Sequence, residues 1–250
     1  DVCSSDLKAV AAQEFRLAYQ PKVNGRTGSL IGVEALLRWT LNGQPVPPAV
    51  FVPLAEEAGQ MTALGQWVLR AACEQGRRWL ESGHRLTVAV NVSASQFRDR
   101  AFIPGVQRTL TDTGFPPGLL ELEVTEAVLM QDIRQVNQIL KDLQHLGIRI
   151  ALDDFGTGYS SLSYLHQLPL NTLKVDGSFV TGVQEDPQRQ ALLRSIISLG
   201  QSMQLEVLAE GVETDLERLH LLRHGCEQMQ GFLFSPPVPP EHITLHRPTP

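Results

Sequence analysis

Cysteine is scarce: Cys3, Cys73 and Cys226 are the three among 250 residues. They are odd in number, far apart and form no C-x-x-C pair, which excludes a disulfide framework and a paired-cysteine motif. They read as ordinary thiols of a reducing compartment. Long apolar runs are missing too; none approaches the roughly 18 residues a membrane span needs. No secretory signal is visible. The expectation is a cytoplasmic domain with no membrane contact of its own, whatever anchor the parent protein carries. Basic charge is short, with 21 Lys and Arg against 27 Asp and Glu and a net charge of −6. That argues against a nucleic-acid polymer as partner, which a basic face would serve. It leaves room for a small phosphate ligand held through metal ions.

Histidine does not cluster. His145 and His166 stand alone. His220 and His224 share a helical face without a third partner, and the expectation is an exposed helix face rather than a metal site. No Pro/Gly/Ser-rich linker divides the chain, so residues 8–250 read as one domain. Residues 1–7, DVCSSDL, read as a non-native, adapter-like tail and are set aside.

What is present is an alternation. Hydrophobic residues make up 42%, ordinary for a globular protein. Strands are predicted at 15–23, 30–39, 86–92, 119–125, 148–152, 172–175, 205–209 and, weakly, 226–230. Helices are predicted at 61–81, 132–146, 188–203 and 215–224, where apolar residues recur at helical spacing. Strands alternating with helices imply a mainly parallel sheet. Only 24–29 separates the first two strands, too short for a parallel crossover, so they should pair antiparallel. The predicted fold is α/β, a TIM-like (β/α)8 barrel with one antiparallel strand. Residues 45–53 read as a proline-rich loop entering a helix, and the proline-rich tail from 236 as a segment that frays.

Acidic residues or their amides recur at the strand ends: Glu34, Asn91, Glu123 with Glu126, Asp153 and Asp154, Asp176, Glu210 with Glu213, and Gln230. In such barrels the C-terminal strand ends form the active face. Glu121 and Glu123 share a strand face, and a Glu pointing into a barrel must be paired, protonated or metal-bound. Glu34, Glu123, Asp153, Asp154 and Glu210 carry five negative charges; Lys174 and Arg38 return two, and two divalent cations would leave the set at +1. Oxygen donors plus one amide suit Mg²⁺ or Mn²⁺ rather than Zn²⁺. Two such ions can activate water for in-line phosphoryl displacement.

Several segments carry a resemblance: YQPKV, EALLRW, FVPLAEEAG, NVSASQF, LEVTE, ALDDFGTGYSSLSYL, LKVDGSFV, AEGVET and QGFLFSPP. In number and order they resemble the EAL family of bacterial cyclic di-GMP phosphodiesterases, from Phe15 to about Pro240. The resemblance implies hydrolysis of cyclic di-GMP to pGpG by two metal ions. Glu34, Asn91, Glu123 and Asp153 would hold one ion; Asp153 would bridge to a second completed by Asp154 and Glu210. Lys174 would orient or help deprotonate the attacking water, and Gln230 would contact the water or metal site. Gln20 and Arg38 would position phosphate or guanine groups. Glu126 would anchor the loop 155–161. Asp176 and Glu213 match motif positions with supporting or substrate-binding roles. The family also implies a homodimer. Ca²⁺, with longer bonds and looser geometry than Mg²⁺, is expected to inhibit, and a sensory or GGDEF domain is expected upstream in the parent protein.

Gly177 stands where the family commonly has Arg, Phe232 replaces a frequent Tyr, and Glu227 a frequent Asp. Phe232 and Phe234 are expected in the core rather than stacked on a base. Two other classes stay open: a cyclic di-GMP receptor that does not cut, and a barrel lyase or isomerase using Mg²⁺ with Lys174 as base. Asp154-Phe155-Gly156 has no kinase loops beside it, and Gly156-Thr157-Gly158 lacks the third glycine of a dinucleotide fingerprint.

Overall fold

The computed structural model describes residues 14–129, 133–156 and 165–244. The tail 1–7 with Cys3, the predicted helix start at Asp132 and the loop portion 157–161 lie outside the described residues. β1 (Phe15–Asn24) and β2 (Leu30–Leu41) form the expected antiparallel hairpin. β2 turns back into a short β3 (Gln44–Val46). β4 (Thr87–Asn91), β5 (Leu120–Thr125), β6 (Arg149–Phe155), β7 (Thr172–Val175), β8 (Glu206–Ala209) and β9 (Gln228–Met229) follow; β4 pairs parallel with β2, and each later strand parallel with the one before it. β1 pairs antiparallel with both β2 and β9, which closes eight strands into a barrel with one strand reversed.

Helices cover the outside: α1 (Pro48–Glu57), α2 (Met61–Glu81), α3 (Phe102–Thr113), α4 (Ile133–His145), α5 (Pro187–Ser202) and α6 (Asp215–Arg223). Their starts are set locally. The Asp186 carboxylate accepts from the Gln188 and Arg189 amides ahead of Pro187, and Thr214 with Glu217 makes a capping box, each satisfying amides that no preceding turn can reach. α2 buries Leu64, Val68, Leu69, Ala72, Cys73 and Trp79 against the sheet. β7 is buried at every position, as expected for a parallel strand covered on both faces.

Four expectations change. The 45–53 segment enters a helix as expected, but what precedes the helix is a strand rather than a loop: Asn42 and Gly43 have φ of 50° and 79°, the mirror-image turn that Asn-Gly favours, and it returns the chain as β3. Pro48 then opens α1. The last strand is shorter than 226–230, with two laddered residues. The tail beyond Pro236 does not fray within the described residues: Tyr19 and Val238 exchange backbone hydrogen bonds of 2.7 and 2.9 Å, and Ile243 is buried. His220 is buried, not on an exposed face, and its ring lies 4.7 Å from that of His224.

The core is continuous around the barrel. A smaller cluster of Phe15, Trp39, Phe51, Ala55 and Leu64 joins the first hairpin to α1 and α2. Cys73 and Cys226 are free and buried. Burial pushes both thiols up to about 12, so they are inert at neutral pH. Among the described residues no helix is long and apolar enough to cross a membrane.

Candidate active site

The predicted acidic set converges at the C-terminal mouth of the barrel, around one ammonium group. Lys174, at 1% exposure, sends its Nζ to Glu123 Oε2 at 2.7 Å, Asp153 Oδ1 at 3.0 Å, Glu210 Oε1 at 3.0 Å and Glu34 Oε2 at 3.8 Å. Glu34 sits opposite Gln20 in the β1–β2 ladder. Asn91 ends β4 and donates its side-chain amide to Glu34 Oε1 at 2.7 Å; Gln230 donates to Glu34 Oε2 at 2.6 Å and to Gln20 Oε1 at 3.0 Å. Gln20 in turn donates to the Ser235 carbonyl at 3.2 Å. This relay fixes the Gln230 amide, so its buried Oε1 is left without a hydrogen-bond partner.

Two consecutive aspartates cannot normally share a face of a strand. Here the β6–β7 register slips between Leu152 and Phe155, and Asp154 takes φ of 54°. That left-handed residue breaks the alternation, at a cost a non-glycine residue rarely carries. As a result carboxylate oxygens of Asp153, Asp154 and Glu210 lie within 4.8 Å of one another. Glycine is required nearby: a Cβ on Gly231 would lie 2.2 Å from the Val212 carbonyl, so Gln230 reaches the site because its successor has no side chain.

Six carboxylates (Glu34, Glu121, Glu123, Asp153, Asp154 and Glu210) share Lys174, Lys22 and the half-buried Arg149. The deficit of positive charge is felt as protonation. Burial, with Asp153, Glu34 and Glu123 close by, pushes the Glu210 carboxyl up to about 8 against the pull of Lys174. Burial and Glu34 raise Glu123, and burial and Asp153 raise Asp154. Burial would raise Glu34 too, but Lys174 and Lys22 hold it below the usual range. Burial works against the Lys174 ammonium, yet the surrounding carboxylates raise it well above an ordinary amine. Hard oxygen donors, an excess of negative charge and the unpartnered Gln230 oxygen all fit Mg²⁺ or Mn²⁺.

The other predicted residues divide. Asp176 caps a short helical turn by accepting from the Ser178 amide, and with Glu213, Gln20, Glu34 and Gln230 it lines a cleft of about 320 Å³. The Arg38 guanidinium donates to the Leu37 carbonyl at 2.9 Å. It makes none of the described ion pairs with the acidic cluster, so its place in the charge balance falls to Lys22. Glu126 is buried at the end of β5, while most of the loop assigned to it lies outside the described residues. Phe232 contradicts the expectation of core packing: it is 64% exposed on the rim of the same cleft, whereas Phe234 packs against the core.

Sequence reasoning missed Lys22 altogether. Its Nζ donates to Glu121 Oε1 and Glu123 Oε1, both at 2.8 Å. Alternation along β1 did offer a signal, since Lys22 shares a strand face with Gln20.

A family model described as the EAL domain matches residues 6–237. The chain is 43% identical over 237 residues to the signaling protein YkoW of Bacillus subtilis, covering 94% of this chain and 30% of that protein. It is 42% identical over 238 residues to the bifunctional diguanylate cyclase/cyclic di-GMP phosphodiesterase MucR of Pseudomonas aeruginosa, covering 94% and 35%. The chain thus spans about a third of the length of these relatives. Among solved structures, the PaMucR phosphodiesterase in complex with c-di-GMP superposes with a TM-score of 0.93 at 41% identity, covering 98% of this chain and 100% of that one. The FimX EAL domain of Pseudomonas aeruginosa bound to c-di-GMP gives 0.86 at 27% identity, covering 95% and 96%.

Proposed function

The chain belongs to the EAL domain family, and on that footing we propose that it is a metal-dependent phosphodiesterase that opens cyclic di-GMP to linear pGpG. The observation that carries the reading is the convergence of Glu34, Asn91, Glu123, Asp153, Asp154 and Glu210 on one point at the mouth of the barrel. Glu34, Asn91, Glu123 and Asp153 would hold one Mg²⁺ or Mn²⁺, and Asp153, Asp154 and Glu210 a second. Such ions, when bound, lower the pKa of a water and offset charge developing on phosphoryl oxygens.

The chain's own groups supply the rest. Hydrolysis forms one bond from the water oxygen to phosphorus and breaks one phosphorus–oxygen ester bond, whose oxygen leaves with a proton. Lys174, held as an ammonium by its carboxylates, donates rather than accepts. Its role is to orient the attacking water and stabilise negative charge, which disfavours a lyase or isomerase built on a lysine base. The Gln20–Gln230 relay fixes Glu34 in one orientation, so that ligand is preorganised. Phe232, exposed on the cleft rim, offers an apolar face to a guanine base, and Asp176, Glu213 and Arg38 are available to its polar edges and phosphates. Ca²⁺, which takes longer bonds and looser geometry, should bind without supporting turnover. The domain acts in the cytoplasm as a homodimer, beneath a sensory or GGDEF segment of a longer protein.

The test is product analysis after incubation with cyclic di-GMP and Mg²⁺, with an EDTA control. Metal-dependent pGpG supports the reading. Intact nucleotide, with binding shown separately, moves the protein to the receptor class.

A further inference from the structure

Beneath the mouth of the barrel lies a second layer of charge. Lys22, Glu121 and Glu123 are 4%, 4% and 1% exposed. Glu121 accepts from Lys22 on one oxygen and from the Thr172 hydroxyl at 2.8 Å on the other, with Arg149 at 3.5 Å. A buried lysine with a single carboxylate partner would be a plain ion pair. Lys22 has two, and the second, Glu123, belongs to the reacting cluster.

The two oxygens of Glu123 are not equivalent. Oε1 is held by Lys22 at 2.8 Å and Oε2 by Lys174 at 2.7 Å. Lys174 is spread over Glu123, Asp153, Glu210 and Glu34, so it can yield one partner and keep the others. Lys22 has only Glu121 and Glu123 among its described ion-pair partners. It comes from β1, the reversed strand, and is locked from below by Glu121. Both oxygens carry a lysine, but Oε1 is tied to a lysine with one other described ion-pair partner, and Oε2 to a lysine that has three more carboxylates to turn to.

From this asymmetry we infer that Lys22 is a positioning residue that limits Glu123 to one metal-binding oxygen and so sets the preference of the site for small over large divalent cations. The inference rests on the metal-dependent reading above. Mg²⁺ demands compact octahedral coordination, whereas Ca²⁺ takes more oxygens and accepts a carboxylate through both. A Glu123 that can free one oxygen suits the first; a Glu123 released from Lys22 suits the second. The lost lysine charge acts alike on two ions of the same charge, so it cancels in the ratio of their affinities. The ratio therefore reads coordination rather than electrostatics.

The experiment is calorimetric titration of the nucleotide-free protein with MgCl₂, MnCl₂ and CaCl₂, for wild type, Lys22→Met and Glu121→Gln. Lys22→Met should shift the Ca²⁺-to-Mg²⁺ affinity ratio toward Ca²⁺ by about tenfold or more. Glu121→Gln weakens the same buried network but leaves an amide oxygen for Lys22; its ratio should stay within about twofold of wild type while its melting temperature falls. Should Lys22→Met not fold, the double variant Lys22→Met/Glu121→Gln removes the pair together and carries the test. An unchanged ratio in the lysine variants overturns the inference. So does an equal shift in Glu121→Gln, which would mark a merely structural role. Wild type that binds no divalent cation overturns the metal reading and this inference with it. Wild type that binds ions and makes pGpG, with a ratio indifferent to Lys22, overturns this inference alone.

Discussion

Divalent-cation binding should tighten steeply with pH, and the steepness can be worked from one carboxyl. Glu210 is pushed up to about 8, because it is buried among Asp153, Glu34 and Glu123 with Lys174 as the shared counter-charge. Through the neutral range the metal-free protein therefore holds a proton there. A cation needs the carboxylate, so each binding event expels that proton. For one linked proton, the ionised fraction of a group with a pKa near 8 rises roughly 25-fold between pH 6 and pH 7.5, about 2 kcal/mol of apparent affinity. Glu123, also raised, would steepen the dependence further. The assay is Mn²⁺ titration by calorimetry at pH 6.5 in two buffers of different ionisation enthalpy, repeated across the pH range. The buffer difference should report about one proton released per binding event. Glu210→Gln should weaken binding and flatten the pH dependence. An affinity that is flat or falls with pH, with no buffer dependence in wild type, would refute the reasoning.

Glu34→Ala deletes a proposed metal ligand and should lower pGpG formation by about a hundredfold or more, beyond the usual cost of losing a supporting partner; near-normal turnover would sink the assignment. Phe232→Ala should raise KM by roughly five- to 150-fold, the worth of about 1–3 kcal/mol of base stacking, and leave the melting temperature nearly unchanged because the ring is exposed; equal KM would remove it from the substrate site. Glu121 is buried, yet Lys22 and Thr172 hold its carboxyl down to about 2, against 4.5 for an unperturbed Glu. Its contribution, about 3 kcal/mol, is full above pH 4.5 and lost as the pH falls toward 2. Glu121→Gln should therefore lose much of the stability difference between pH 5 and pH 2.5 seen in wild type by urea unfolding. Gly231→Ala forces a methyl into the Val212 carbonyl and should impair both fold and turnover; a stable, active variant would contradict the packing at Gln230.

The barrel was legible because its signals are local. Period-two strands, helical spacing in α2 and α4, and the short 24–29 connection each lie within a few residues, and together they imply a parallel sheet with one reversed strand. The acidic strand ends were legible for the same reason: in a parallel barrel, chain direction alone puts every strand terminus on one face. β3 was missed although Asn42-Gly43 carried a turn signal, because Pro45, Pro47 and Pro48 just beyond it outweighed that signal; the helix that Pro48 opens was anticipated, but not where it starts.

What only the tertiary structure decided depends on contacts between distant positions or on a backbone state that composition does not encode. Lys22 meets Glu121 and Glu123 across 99 and 101 residues, a pairing created when β1 closes the barrel in reverse. Asp153 and Asp154 face the same site because the β6–β7 register slips and Asp154 turns left-handed; strand alternation alone would have sent them apart. Phe232 is at the rim rather than in the core because its neighbours Gly231 and Leu233 are fixed against Val212, which leaves that ring no inward path. Sequence carried the direction of the chain and hence the face of the active site; closure of the sheet carried the charge pairing within it.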